Sequence, residues 1–215
     1  MYVGLRMMKT PISCPPDAGL DDAVRLMKEN KVRQLMVVEG DKLVGIVSDV
    51  DLQHVLPSPA TSLSIHELTY LLSKLTVSKF MVRNVVTIAP DATIEEAAVL
   101  MHDKDISGLP VVKNGRLVGY INRTMMLELF VEEMGQKVPS SRISIEVPDK
   151  PGQLLEISRI IKEQELNIVS LATFFEAQPG MRIIVVRVTT TDPKPVEAAL
   201  TAHGYRIVTA RDFNL

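Results

Sequence analysis

Apolar residues at Leu20, Ala23, Val24 and Met27 follow the i, i+3, i+4, i+7 spacing of a helix that buries one stripe. The same spacing returns at Ile94, Ala97, Ala98 and Met101. Each helix is followed by two apolar runs around a turn. Leu35-Met36-Val37-Val38 passes through Glu39-Gly40-Asp41 into Leu43-Val44-Gly45-Ile46-Val47. Leu109-Pro110-Val111-Val112 passes through Lys113-Asn114-Gly115 into Leu117-Val118-Gly119-Tyr120-Ile121. Asn-Gly between apolar runs signals a hairpin. A short extended piece precedes each helix, at residues 10–14 and 85–89. A second helix closes each unit, at residues 50–55 and 124–133.

These two stretches are copies. Pro16-Asp17-Ala18 recurs as Pro90-Asp91-Ala92, and the same ungapped offset superposes Leu26-Met27 on Leu100-Met101 and Leu43-Val44-Gly45 on Leu117-Val118-Gly119. Met7 and Met81 also coincide. Roughly a third of the aligned positions are identical, so each copy is one β-α-β-β-α supersecondary unit. The helix starts differ. Thr93 and Glu96 have the spacing of a capping box, whereas the first copy has Gly19 at its cap. Between the copies, Pro57-Ser58-Pro59 breaks the chain. Ile65, Leu68, Leu71, Leu72 and Leu75 then mark an amphipathic helix, either a cover for the core or a dimer contact.

The pattern changes after a polar, Pro-containing stretch at residues 135–141. Arg142-Ile143-Ser144-Ile145-Glu146-Val147 alternates as a half-buried strand. Leu154, Leu155, Ile157, Ile160 and Ile161 form a helix stripe. Strands at 167–177 and 181–190, a helix at 195–203 and a last strand at 205–209 complete a βαββαβ order, the ferredoxin-like split motif. The fold class expected is therefore mixed α/β (α+β). Its boundaries are 1–56 for the first copy, 57–80 for a helical connection, 81–134 for the second copy, 135–141 for a linker and 142–215 for the tail.

Composition limits the function. Of 215 residues, 46% are hydrophobic and 23% charged, which fits a globular chain rather than a disordered or disulfide-rich one. A net charge of −2 supplies no field to recruit nucleic acid or an anionic membrane. No apolar run approaches the length of a membrane span. With one cysteine, Cys14, and no cleavable-signal pattern at the first residues, a cytoplasmic location is expected. There is no phosphate loop, dinucleotide fingerprint or nucleophile elbow. His54, His66, His102 and His203 lack ligand spacing. Neither catalytic nor metal-binding residues are expected.

The repeated unit resembles the CBS domain, which occurs in pairs as a nucleotide-sensing module. The stretches that carry the resemblance are residues 32–38 and 106–112, each followed by Leu-Val-Gly. The tail resembles the ACT domain through Asp149-Lys150-Pro151-Gly152 leading into a helix and through Leu166-Asn167-Ile168. A CBS pair followed by an ACT domain is similar to the bacterial acetoin-utilisation accessory protein family. The resemblance implies a non-enzymatic regulator that binds AMP, ADP, ATP or S-adenosylmethionine and modulates an enzyme of acetoin or acetyl-CoA metabolism. It also implies a homodimer through CBS or ACT surfaces. The alternatives are a ligand-free structural dimer and a small enzyme of acetoin metabolism.

Gly45-Ile46-Val47-Ser48-Asp49-Val50-Asp51 matches the CBS ligand motif. Ser48, where strand becomes helix, can hold a phosphate through its hydroxyl and nearby N–H groups. Ionised Asp51 accepts only, and so suits ribose hydroxyls. Ser48-x-x-Asp51 is equally a capping box that needs no ligand. By resemblance, adenine rests against Thr10-Pro11-Ile12, Arg33 approaches a phosphate, and Gly108, Leu109 and Pro110 form the facing wall. In the second copy Asn122 and Met125 replace Ser48 and Asp51. Met125 cannot accept a hydroxyl, so one nucleotide per chain is expected. In the tail, the resemblance points to Asp149, Gly152, Leu154 and Asn167 for an amino-acid ligand. The competing view there is that Pro151-Gly152 only starts a helix.

Overall fold

The computed structural model describes residues 1–55, 74–174 and 179–213. Contacts divide the chain into two units, Met1–Met126 and Leu127–Leu215. Of the helix expected from Ile65 to Leu75, residues 65–73 lie outside the described residues, and Leu75 packs against the first core.

In the first unit the elements are α1 (Val3–Arg6), β1 (Ser13–Cys14), α2 (Leu20–Asn30), β2 (Gln34–Glu39), β3 (Lys42–Ser48), α3 (Asp49–Val55), α4 (Ile94–Asp103), β4 (Gly108–Lys113) and β5 (Arg116–Asn122). Helix α5 (Arg123–Glu133) begins in this unit and runs into the next. One five-stranded sheet has the order β1-β2-β3-β5-β4, joined at its centre by Lys42 opposite Arg116. The hairpins β2–β3 and β4–β5 share one register, Gln34 opposite Ser48 and Gly108 opposite Asn122, with a bulge at the same place in each. Their turns need positive φ, supplied by Gly40 in one copy and by Asn114 and Gly115 in the other.

Two cores flank this sheet. The first gathers Leu20, Ala23, Met27, Leu35, Val37 and Val47, the second Ala97, Met101, Leu109, Val111 and Ile121. Each fully buried aliphatic side chain contributes roughly 1.5–3 kcal/mol before ordering entropy is set against it. The leading segments are exchanged between the cores. Val3 and Met7, at the start of the first copy, pack in the second core, and Val77 and Met81 pack in the first. Backbone bonds hold the exchange: Val3 N–H to Ala92 O at 2.8 Å, and Val77 N–H to Ala18 O at 2.9 Å. The repeated Leu-Val-Gly gains its reason here. A Cβ on Gly119 would lie 2.9 Å from Met8 O, and one on Gly45 would lie 3.2 Å from Val82 O. Only glycine lets the incoming segments approach.

The second unit contains β6 (Ser141–Pro148), α6 (Gln153–Glu163), β7 (Ile168–Phe174), β8 (Met181–Val188), α7 (Lys194–Ala202) and β9 (Arg206–Ile207). Its antiparallel sheet has the ferredoxin-like order β7-β8-β6-β9. Ile143, Ile145 and Val147 alternate onto Ile157, Ile160 and Ile161 of α6, together with Val196 and Leu200 of α7. Short β9 is held by Arg206, which donates to Glu146 and to Asp212. Hydrogen bonds from Thr209 and Arg206 hold the exposed Asp212 carboxyl at about 2, well below its ordinary range.

Candidate functional site

Strand β3 ends at Ser48, and α3 begins on the next residue. A capping box forms at this corner: Asp51 N–H donates to Ser48 Oγ at 3.1 Å, while Ser48 N–H and Oγ donate to Asp51 Oδ2 at 2.7 and 2.6 Å. Both Ser48 donors are therefore engaged by Asp51 and not held ready for a phosphate. Asp51 Oδ1 accepts from no described residue and stays available to a ligand.

A cavity of about 230 Å³ opens above this corner. Gln34, Ile46, Ser48 and Asp51 come from the first copy, Gly108 and Pro110 from the second. Val82, Asn84, Val85 and Val86 cross over it, and Ile106 adds to the aliphatic wall. Among the described residues, the lining holds one carboxylate and no cationic side chain. Such a chamber suits an uncharged, flat, partly apolar group with hydroxyls near Asp51.

Several expected residues stand elsewhere. Thr10-Pro11-Ile12 does not line the cavity; its counterpart in the repeat, Asn84-Val85-Val86, does. The cause is the exchange of leading segments. Val82 bridges to Ile46 of the first copy and Ile88 to Val111 of the second, so residues 84–86 span the first cleft. Met8 bridges to Tyr120, and Ser13 pairs with Met36, so residues 10–12 run between the opposite copies. Arg33 is also absent from the lining. Its side chain is 89% exposed and faces Asp49 at 3.9 Å. Leu109 is fully buried in the second core, because strand alternation that points Gly108 and Pro110 to the cavity points it away.

The second cleft is built on the same corner and filled by a side chain. Asn122 Oδ1 accepts the Met125 N–H at 2.9 Å, so the cap survives without a carboxylate. Tyr120 stands where the first copy has Ile46, is 9% exposed, and donates its hydroxyl to Gln34. Gly108 makes room for it, since a Cβ there would lie 2.6 Å from Tyr120 Cζ. Burial pushes the Tyr120 hydroxyl up to about 12, with a weaker opposing effect from its bond to Asn122. Sequence reasoning missed this plug. The signal lay in the repeat, where Ile46 and Gln34 are matched by Tyr120 and Gly108, a large residue facing a vanished one.

In the second unit, a cavity of about 360 Å³ adjoins the start of α6, with Asp149, Lys150, Gly152, Leu154, Thr173 and Arg182 among its lining. Asp149 Oδ1 accepts from Arg182 Nε at 2.6 Å. Gly152 serves here through its φ of +93°, with open space around it, and not through a close approach. Asn167 is not part of this cavity. It precedes β7, whereas Thr173 near the far end of that strand lines the wall, about 20 Å away at the strand rise.

CBS-domain models match residues 3–58 and 77–132, and a TTHA0829-like ACT domain matches residues 140–211. Among solved structures, the chain is similar to a Vibrio cholerae protein provisionally assigned to acetoin utilization (AcuB). Identity is 27% at a TM-score of 0.54, covering 64% of this chain and 95% of that one. CBSX2, solved in complex with AMP, is 28% identical at a TM-score of 0.51, covering 61% and 96%. The CBS pair of protein MJ0100, solved with 5′-methylthioadenosine and S-adenosyl-L-methionine, is 26% identical at a TM-score of 0.50, covering 64% and 98%.

Proposed function

The chain belongs to the CBS-domain family, with an ACT domain behind its pair, and from that premise we propose that it is a non-enzymatic regulator. It binds one adenosine-containing ligand per chain in the first cleft. The observation that carries this reading is the open cavity with aliphatic walls and an available Asp51 Oδ1, beside a second cleft filled by Tyr120. The adenine ring lies among Ile46, Val85, Val86 and Ile106, and ribose hydroxyls donate to Asp51. Two solved relatives bind ligands of this chemistry, AMP in one and S-adenosylmethionine in the other.

Among the described residues no cationic side chain lines the cavity, so phosphates gain little from it. We therefore rank S-adenosylmethionine and AMP above ADP and ATP. The ACT cavity is a second sensing site, where Lys150 and the start of α6 attract the carboxylate of an amino acid. Occupancy changes the surface shown to a partner enzyme of acetoin or acetyl-CoA metabolism, a reading that the likeness to the AcuB protein supports for acetoin, and the working form is a cytoplasmic homodimer. About 1–3 kcal/mol of coupling suffices for such a switch. Thermal shift of nucleotide-stripped protein with AMP, ADP, ATP, S-adenosylmethionine and single amino acids tests the proposal. A rise in melting temperature with the first four in the stated ranking supports it. No shift with any adenosine compound contradicts it and favours a ligand-free structural dimer.

A further inference from the structure

The filled cleft and the open one are joined by a hydrogen bond from the Tyr120 hydroxyl to Gln34. Met125 N–H is an obligate donor, and it occupies Asn122 Oδ1. The single Tyr120 proton goes to Gln34 Oε1 across the two copies. With its oxygen turned to Tyr120, Gln34 has an NH2 group that meets no acceptor among the described residues, and its side chain lines the cavity.

We propose that Tyr120 is a positioning residue for the first cleft: its hydroxyl holds the Gln34 carboxamide with the NH2 edge toward the cavity, so that the site reads a hydrogen-bond acceptor on its ligand. Gln34 stands directly opposite Ser48 in the hairpin register, and it lines the same cavity as the acceptor-only Asp51. The cleft thus offers a fixed donor beside a fixed acceptor. An unanchored carboxamide could turn and present either edge; the anchored one presents one. The second cleft lost its own ligand chemistry and became a support for the first. This inference rests on the nucleotide reading of the first cleft.

The test titrates AMP and S-adenosylmethionine into nucleotide-stripped full-length protein by calorimetry. Wild type is compared with Tyr120→Phe, Gln34→Leu and the double variant. Phenylalanine keeps the ring that fills the cleft and removes only the hydroxyl. Each single variant is expected to weaken the ligand that binds wild type about threefold to tenfold. Tyr120→Phe should add nothing further in the Gln34→Leu background. Equal losses from Tyr120→Phe in both backgrounds, or an unchanged affinity in either single variant, overturn the proposal. Gln34→Glu is an independent arm: it still accepts from Tyr120 but offers oxygen to the cavity, so binding must fall at least as far as with leucine. Unchanged binding by Gln34→Glu overturns the proposal even if Tyr120→Phe does not fold. A wild-type protein that binds neither compound overturns the nucleotide reading itself, and this inference with it.

Discussion

At the same corner of the repeat, the first copy has Ile46, Ser48 and Asp51 and the second has Tyr120, Asn122 and Met125. The backbone around both is alike. Each hairpin keeps its register and bulge, each glycine admits the exchanged segment, and each following helix keeps a capped start. What differs is the space above the corner. One side holds a cavity with an available carboxylate oxygen; on the other a buried aromatic ring occupies that place. Fold-forming features are tied to backbone geometry and repeat faithfully. Ligand-forming features hang on three or four side chains and diverge without disturbing the fold.

The sharpest way to break this contrast is to remove its carboxylate. Asp51→Ala is expected to weaken AMP binding about 100-fold, since it deletes the acceptor of two ribose hydroxyls. Met125→Ala should leave binding within about twofold. Calorimetry reads both, and equal effects would erase the difference between the clefts.

The shared features should fail alike. Gly119→Ala forces a Cβ against the Met8 carbonyl and is expected to cost about 1–3 kcal/mol in urea unfolding. Gly45→Ala, with its nearest backbone atom farther off, should cost less.

The filled cleft also has a signature in pH. Tyr120 ionises at about 12 in the folded chain against 10 when free. Its protonated form is favoured by the fold, so its contribution to stability is complete below pH 10 and is lost as pH rises through 12. The loss is at most about 2–3 kcal/mol. Absorbance titration should show a late tyrosine step near pH 12 that Tyr120→Phe removes.

The open cleft, without a cation, should rank phosphates by charge. ATP is expected to bind about tenfold more weakly than AMP at low ionic strength; tighter binding of ATP would require a cationic group outside the lining. The smallest effect separates the two first helices. Thr93→Ala should cost about 1 kcal/mol through its lost capping box, and Gly19→Ser should gain a few tenths in thermal melts.

Much of this was legible in the sequence. The 3.6-residue stripes of α2, α4 and α6, apart from Val24, Ala98, Leu154 and Leu155, which stand exposed, the Asn114-Gly115 turn, the Thr93–Glu96 box and the βαββαβ order of the tail are local signals, and local signals survive folding. Ser48 and Asp51 come together at the edge of the cavity, because a motif of neighbouring residues keeps its spacing on folding. The residues that face them were misplaced. Thr10-Pro11-Ile12 was assigned to the cleft of its own copy, and nothing along the chain states that the copies trade their leading segments. That exchange is a long-range packing choice, driven by Val3 and Val77 each filling the other core. Arg33 was misplaced because a charge beside a motif looks like a ligand group until its exposure is known. Asn167 was misplaced because nearness in a motif does not reveal that a strand carries it to the far end of the sheet.

The most direct measurement is the number of ligand sites per chain, obtained by calorimetric titration of nucleotide-stripped protein with AMP and with S-adenosylmethionine. One site per chain, lost in Asp51→Ala and kept in Met125→Ala, is the predicted result. Two sites per chain, no site at all, or a site lost in Met125→Ala and kept in Asp51→Ala would contradict it.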